Sequence, residues 1–513
     1  MTDKQVKVGS SRRDFLKNSA ALTALLAMDP LARSYAASEH EVNQSRRQKM
    51  HGIQIGAVSF VDEGIKETLD YLQKEVNINT LFLTVFTYGR GLAGRQIPGQ
   101  PMPDHGSQES DERTFHGGNY AMVNPRFYTN TVLKETRATE HGDLDILAAV
   151  LPEAKKRRMQ VYASIEDQWR WDIPGILDLR ETDLYGRKVN TLCLFNPDVR
   201  EFWNALAADI CTSYPVDGVM FFNERNGPLL SAIGASHFQS IESSRATCFC
   251  DHHQRAAAAY GIDFERAKEG YRKLDTFVQQ SLRSIRPSDG YFVEYQRLLL
   301  EYPEITAYDR LFDFAKHQIL KDVYTTVKNI NKNLLVGFHI EHVNSFNPLF
   351  RATRSYEELA TMADFLKVVS YNNCAGERYA NFIRNIGSTA FRDVPLEVLM
   401  RINNRLLNYS ENEPTLVELP MAGLSADTVY RETQRAVKGV NGKCLILPGI
   451  DVNIPTGRNS RKASEQDTYE ATLAAYRGGA NGVILSRKYS EMFLANLKGA
   501  GRAIREGDRL RIV

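Results

Sequence analysis

Acidic side chains recur just beyond short apolar runs in this chain. Glu166 follows the run 160–165, Glu224 stands two residues past 217–222, Glu341 follows 334–340, and Asp451 lies shortly after 443–447. Glycosidic cleavage needs one carboxylic acid to protonate the leaving oxygen and a second carboxylate to attack or to activate water. Glu224 is the first candidate for the acid/base, because an apolar strand would deliver it directly to a rim. Asp451 and Glu341 compete for nucleophile or base, and Glu166 is expected to bind substrate or to assist. Trp169 and Tyr371 offer ring faces beside these acids, and Arg225, His339, Asn372 and Arg487 offer polar contacts at similar positions. Any one such carboxylate could instead cap a helix or pair with an arginine. Arg225 is the obvious partner for Glu224, and an ion pair there would also hold that carboxylate ionised.

Metal chemistry has two candidate centres. In His339-Ile340-Glu341-His342, strand alternation would point His339 and Glu341 to one face, as a metal cluster or as hydroxyl-binding groups. In Cys248-Phe249-Cys250-Asp251-His252-His253, Cys248, Cys250 and His253 could supply three tetrahedral zinc ligands, with Cys211 or His252 as the fourth. Zinc there would be structural, and hydrolysis itself requires no cofactor. Cysteines at i and i+2 rarely bridge each other, so a disulfide would need a distant partner.

The elements that must position these groups alternate between two periods. Strands are expected at 52–58, 79–86, 160–165, 217–222, 334–340, 365–370, 443–447 and 482–485, separated by segments of helical periodicity. Asn196 before Pro197 reads as a helix cap. Runs apolar on both faces and separated by helices imply a parallel sheet covered on each side. No Gly-x-Gly-x-x-Gly follows the first run, as an open dinucleotide-binding sheet would require. The expected fold is α/β, a (β/α)8 TIM barrel over residues 52–513, with long insertions after the second and fourth strands. The first insertion carries Asp104, His105, Asp111, Glu112, His116 and Asn119. In such a barrel chemistry sits at the carboxyl ends of the strands, where the acids above fall.

Residues 1–37 read as an export signal. Ser11-Arg12-Arg13-Asp14-Phe15-Leu16-Lys17 fits the twin-arginine pattern, an apolar stretch runs from Ala20 to Met28, and Ser34-Tyr35-Ala36 suits cleavage. That stretch is too short to span a bilayer, so no stable membrane anchor is expected. Residues 38–51 would be a linker. The implied partners are the twin-arginine translocase during export and a carbohydrate, with a periplasmic or secreted destination. Over 513 residues, 43% hydrophobic and 25% charged, the net charge is +2, which does not suggest electrostatic binding to nucleic acid.

Several stretches together resemble bacterial twin-arginine-exported glycosyl hydrolase-like barrel proteins. They are Asn196-Pro-Asp-Val-Arg200, Asp217 to Arg225, Gly227-Pro-Leu229, Cys248-Phe-Cys250 with Tyr260-Gly-Ile-Asp263, and Gly479 to Ser490. The resemblance covers most of the mature chain and implies a glycosidase acting from the barrel rim. In relatives the cysteine motif runs Cys-x-Cys-x-x-Cys, and His253 stands in the last place here. Asn223-Glu224 is similar to the acid/base motif of the large retaining-glycosidase clan, whose second glutamate on strand seven is absent, with Asp451 nearby. Rival expectations are a metal-dependent sugar isomerase, epimerase or lyase using His339 and Glu341, and a non-catalytic carbohydrate-binding barrel. An oxidoreductase finds no nucleotide fingerprint or iron–sulfur spacing.

Overall fold

The computed structural model describes residues 49–88, 94–95, 103–108, 117–167, 169–235, 241, 246–454 and 460–510. Residues 1–37, expected above to be an export signal, the part of the expected linker before Lys49, and Asp111, Glu112 and His116 lie outside the described residues.

Eight parallel strands form the sheet. They are β1 (Met50–Ile55), β2 (Thr80–Tyr88), β3 (Gln160–Glu166), β4 (Gly218–Phe222), β5 (Leu335–Ile340), β6 (Phe365–Val368), β7 (Leu445–Ile446 and Gly449–Asp451) and β8 (Gly482–Ser486). Each pairs with its neighbour in chain order, and β1 pairs with β8. The ring closes through β7, which is split at Pro448. Its first piece pairs with β6 (Leu445 with Phe365) and its second with β8 (Asp451 with Ser486). The Ile484 amide donates to the Pro448 carbonyl at 2.9 Å across the split. A strand bonded on both sides leaves no free edge, which is the closed (β/α)8 barrel expected from the alternation.

Side-chain alternation divides the core in two. Met50, Phe82, Tyr162, Met220, Phe222, Phe365, Leu445, Leu447 and Ile484 point inward and pack as one buried cluster. Large rings face glycines across the lumen. A Cβ on Gly52 would come within 2.4 Å of the Phe82 ring, and one on Gly337 within 1.9 Å of Phe365. The alternate residues, among them Ile53, Leu81, Val161, Val219, Val336, Leu366 and Val483, join the helices in the outer core.

The first strand starts at Met50, inside the stretch expected as linker, and a helix, Ala57–Glu63, occupies the end of the run read as strand. The insertion after β4 holds four helices of nine residues or more, Asp251–Ala259, Phe264–Leu282, Tyr291–Glu301 and Glu304–Ile330. Asn196 caps helix Pro197–Ser213 by accepting from the Asp198 amide at 2.9 Å. A feature not expected is the antiparallel hairpin of Arg180–Thr182 with Lys188–Leu192, which follows β3 and stands over the barrel mouth. No helix among the described residues is long and apolar enough to cross a membrane.

Candidate active site

A cleft of about 360 Å3 opens at the carboxyl ends of β2, β3 and β4. Tyr88, Glu166 and Phe222 each end one of these strands and line it, with Glu224 and Arg225 just beyond β4. Trp169 and Trp171 form one wall, and Asn190, Thr191 and Leu192 of the hairpin form another. Aromatic faces with a few converging polar groups suit a small polar ligand with apolar ring faces.

Three carboxylates line the cleft, Glu166, Asp167 and Glu224, and of these Glu166 and Glu224 feel each other's charge. Burial is the largest influence on Glu166 and raises its pKa to about 7; Glu224's negative charge adds to that, while the Thr87 hydroxyl, donating to Glu166, opposes it. The Glu224 side chain is 35% exposed, and its Oε1 lies 2.6 Å from Nε2 of His339. Burial pushes the His339 imidazole down, and the nearby Lys367 charge pushes the same way, so the neutral ring donates Nε2–H to Glu224. Nδ1 of His339 is buried and has no partner among the described residues, as an unprotonated nitrogen can be.

Arg225 does not pair with Glu224. It forms an ion pair with Glu181 of the hairpin at 2.5 Å, approaches Asp167 at 3.6 Å and donates to the Leu192 carbonyl at 2.8 Å. Asp167 in turn accepts from Trp169 Nε1 at 2.7 Å and from Asn223 at 2.8 Å. Arg225 therefore ties the hairpin wall to the strand ends and leaves Glu224 to the cleft. Arg487 reaches the same region from the end of β8. Glu491 holds it by bonds of 2.7 and 3.0 Å, and its charge is felt by Glu166.

The other candidate carboxylates are engaged elsewhere. β5 ends at Ile340, so Glu341 leaves the strand alternation and does not share a face with His339. It is buried, paired with Lys316 and, at 2.9 Å, with Arg354. Burial alone would raise its pKa, but Arg354 and Lys316 hold it below the ordinary value. Asp451 is buried and accepts from the amides of Cys374 at 2.7 Å and Ile454 at 3.1 Å, at the head of helix Asn372–Ile386. Burial nonetheless keeps its pKa raised. Tyr371 is buried and accepts from Lys367 Nζ at 2.8 Å, and Asn372 donates to the Leu424 carbonyl at 3.1 Å. In the first insertion, His105 binds Glu63 and the Met492 carbonyl, Asp104 accepts from the Leu494 amide, and Asn119 pairs along β2, none of them at this cleft.

Tyr88, Trp171 and the hairpin residues were not singled out from the sequence. The turn chemistry of Asp183 and Gly186 between the runs 180–182 and 188–192 was the available signal. Asp183 Oδ1 accepts from the amides of Tyr185 and Arg187, and Gly186 has φ 82°.

Beside this wall lies a cluster of thiols and one imidazole. Cys193 follows the hairpin, and its Sγ lies 3.4 Å from Sγ of Cys250 and 3.3 Å from Nδ1 of His253. Cys250 Sγ is 3.6 Å from the same nitrogen, and the Thr182 amide donates to Cys248 Sγ at 3.3 Å. The ligand atoms of Cys193, Cys248, Cys250 and His253 all lie within 4.8 Å of one another, the one such group of potential metal ligands among the described residues. Cys193 thus takes the fourth place expected for Cys211 or His252. Cys211 packs into the outer core from helix Pro197–Ser213, and His252 turns toward Arg255.

The chain matches no family model and no curated protein. Among solved structures it is similar to the polyextremophilic β-galactosidase of the Antarctic haloarchaeon Halorubrum lacusprofundi. The two are 12% identical, the match covers 90% of this chain and 58% of that one, and the TM-score is 0.50. It is also similar to a β-galactosidase from the psychrophilic Marinomonas ef1 (10% identity, 89% and 59% coverage, TM-score 0.48). An α-L-fucosidase isoenzyme 2 from Paenibacillus thiaminolyticus matches at 12% identity, 90% and 49% coverage and TM-score 0.47. The chain spans about half to three fifths of the length of these proteins. At 12% identity the likeness to the haloarchaeal protein speaks for the fold alone, an α/β barrel.

Proposed function

We propose that the chain is a glycoside hydrolase whose reaction runs on Glu166 and Glu224. The observation that carries this is two carboxylates from adjacent strand ends meeting in one aromatic-walled cleft, one raised in pKa by burial and the other bonded to the His339 ring. Glu166, protonated near neutrality, suits the general acid. Glu224, held by the His339 N–H, suits the ionised partner that attacks or activates water, a role the sequence reading had left to Asp451 or Glu341. Trp171, half-buried in the cleft wall, supplies a face for a sugar ring. The test is hydrolysis of a broad panel of glycans and aryl glycosides by the mature protein beside Glu166→Gln and Glu224→Gln. Loss of about 10² to 10⁴ in kcat in both, with folding intact, supports the reading. Affinity for glycans without turnover in the parent protein overturns it in favour of a binding barrel.

The Cys/His cluster fits zinc in its structural role. With bonds of about 2.3 Å to sulfur and about 2.0 Å to nitrogen, a tetrahedron places sulfurs ~3.8 Å apart and sulfur ~3.5 Å from nitrogen. The contacts of 3.4, 3.3 and 3.6 Å approach that spacing. Bound there, the metal would fasten the hairpin, through Cys193, to helix Asp251–Ala259, through His253. Metal analysis of the purified protein should find one zinc per chain, lost in Cys193→Ser and Cys248→Ser and kept in Cys211→Ser. We also read residues 11–17 as directing export through the twin-arginine translocase. Fractionation of cells expressing Arg12→Lys with Arg13→Lys should then leave the precursor in the cytoplasm.

A further inference from the structure

Lys367 is a charged side chain with no exposed surface, set inside the barrel. On β6 it follows Phe365 by two residues and so faces inward, in register with His339 on β5. Its side chain crosses the lumen over Gly449 of β7, where a Cβ would come within 2.9 Å of Lys367 Cε. The ammonium donates to Gln54 of β1 and, at 2.8 Å, to the Tyr371 hydroxyl, and it lies 5.4 Å from the Phe222 ring centre. Among the described residues it forms no ion pair, although a buried charge ordinarily demands one. The titratable and charged groups around it are Glu166 from β3, Glu224 beyond β4, His339 from β5, Tyr371 beyond β6 and Arg487 beyond β8. Of these, the two carboxylates are the ones whose charge favours the ammonium.

We propose that Lys367 is the positioning residue of the carboxylate pair, a cation fixed one layer below the cleft whose field acts on Glu166 and Glu224 together. An ammonium neutralised by a direct contact would be spent on that contact. One held by the neutral oxygens of Gln54 and Tyr371 keeps its field for both acids above it. Burial lowers its own pKa to about 7, so it carries its charge below neutrality, where Glu166 is protonated, and loses it above. Glycine at Gly449 and the polar inward side chains of Gln54 and Ser486 are what let it sit there. Ser486 Oγ donates to the same Gln54 oxygen at 2.9 Å.

This rests on the reading of Glu166 and Glu224 as the working pair, and its test needs no substrate. The carboxyl carbons of glutamate would be labelled with 13C in the mature protein, and the two signals assigned by their loss in Glu166→Gln and Glu224→Gln. Their titration midpoints would then be compared with those in Lys367→Met and Lys367→Arg. Removing the cation should raise both midpoints by about one pH unit or more, and the arginine variant should keep both near their parent values. Midpoints unmoved in a folded Lys367→Met protein overturn the proposal, even if glycans are hydrolysed. If the methionine variant does not fold, Lys367→Gln is measured in its place against the same criterion. Raised midpoints in a protein that cleaves no glycan would sustain the role of Lys367 and sink the glycosidase reading alone.

Discussion

Nε2 of His339 and Oε1 of Glu224 lie 2.6 Å apart, a bond between a buried neutral ring on β5 and the most open carboxylate of the cleft. Because the ring donates, it favours the ionised form of Glu224. A hydrogen bond to a charged group contributes about 1.5–3 kcal/mol, so His339→Phe should lower kcat roughly 10- to 100-fold with little change in KM. Losing the donor raises the Glu224 pKa, and the acid limb of the pH–rate profile should move to higher pH. Steady-state kinetics from pH 4 to 9 would check both, and an unmoved acid limb would refute the assigned role.

Glu166 leads to a second expectation, with a sign that separates function from stability. Its pKa in the folded protein is raised to about 7, above the 4.5 of a free glutamate. Below 4.5 it is protonated in both states and costs nothing. Between 4.5 and about 7 the folded state binds more protons than the unfolded one, so its contribution to stability falls as pH rises. Activity that needs the protonated acid should decline above pH 7. Glu166→Gln, which cannot ionise, should abolish turnover yet raise Tm at pH 8 relative to the parent, by about 2 °C or more, with no gain at pH 4. Thermal melts at the two pH values decide it.

The barrel was legible because its eight strands are apolar on both faces, a pattern that leaves little choice but a covered parallel sheet. The cleft was less legible, and for local reasons. Glu341 reads as a rim acid until the strand is seen to stop at Ile340, and its partners Lys316 and Arg354 come from segments 25 and 13 residues away. Asp451 sits at a strand end as expected, but Cys374 and Ile454 occupy its oxygens with backbone amides, which no side-chain pattern announces. The hairpin over the mouth has a three-residue first strand, too short for periodicity to register. Cys193 went unnoticed as a ligand for the same reason, since that hairpin is what carries it to Cys250 and His253.

The buried trio of Glu341, Lys316 and Arg354 should govern folding. Truncating one member of a buried ion pair typically costs about 3–5 kcal/mol because a charge stays buried and unmatched; here that charge is Lys316, since Arg354 keeps Asp313 at 3.5 Å. Glu341→Ala should lose that order of stability in urea unfolding, and its residual folded fraction should still titrate Glu166 near neutrality. The pH dependence follows from a folded pKa below 4.5. The stabilisation is complete above the unfolded value and is lost as pH falls through the folded one. Acid should therefore unfold the parent more steeply than Glu341→Gln, in which that proton uptake is absent.

Two tryptophans two residues apart should respond in opposite ways. Trp169 is 9% exposed and packs edge to face with Phe86 and Phe202, with its indole N–H on Asp167. Its removal opens a cavity in the outer core, and Trp169→Ala should cost about 3–5 kcal/mol of stability. Trp171 is half-buried, lines the cleft, and is at most partly engaged with that core. Trp171→Ala should leave Tm within about 1–2 °C of the parent. If its face receives a sugar ring, losing a contact of about 0.5–1.5 kcal/mol should raise KM roughly 2- to 12-fold at nearly constant kcat. Unchanged KM in Trp171→Ala would move the sugar contact to the hairpin wall, and a parallel Asn190→Ala variant would test that.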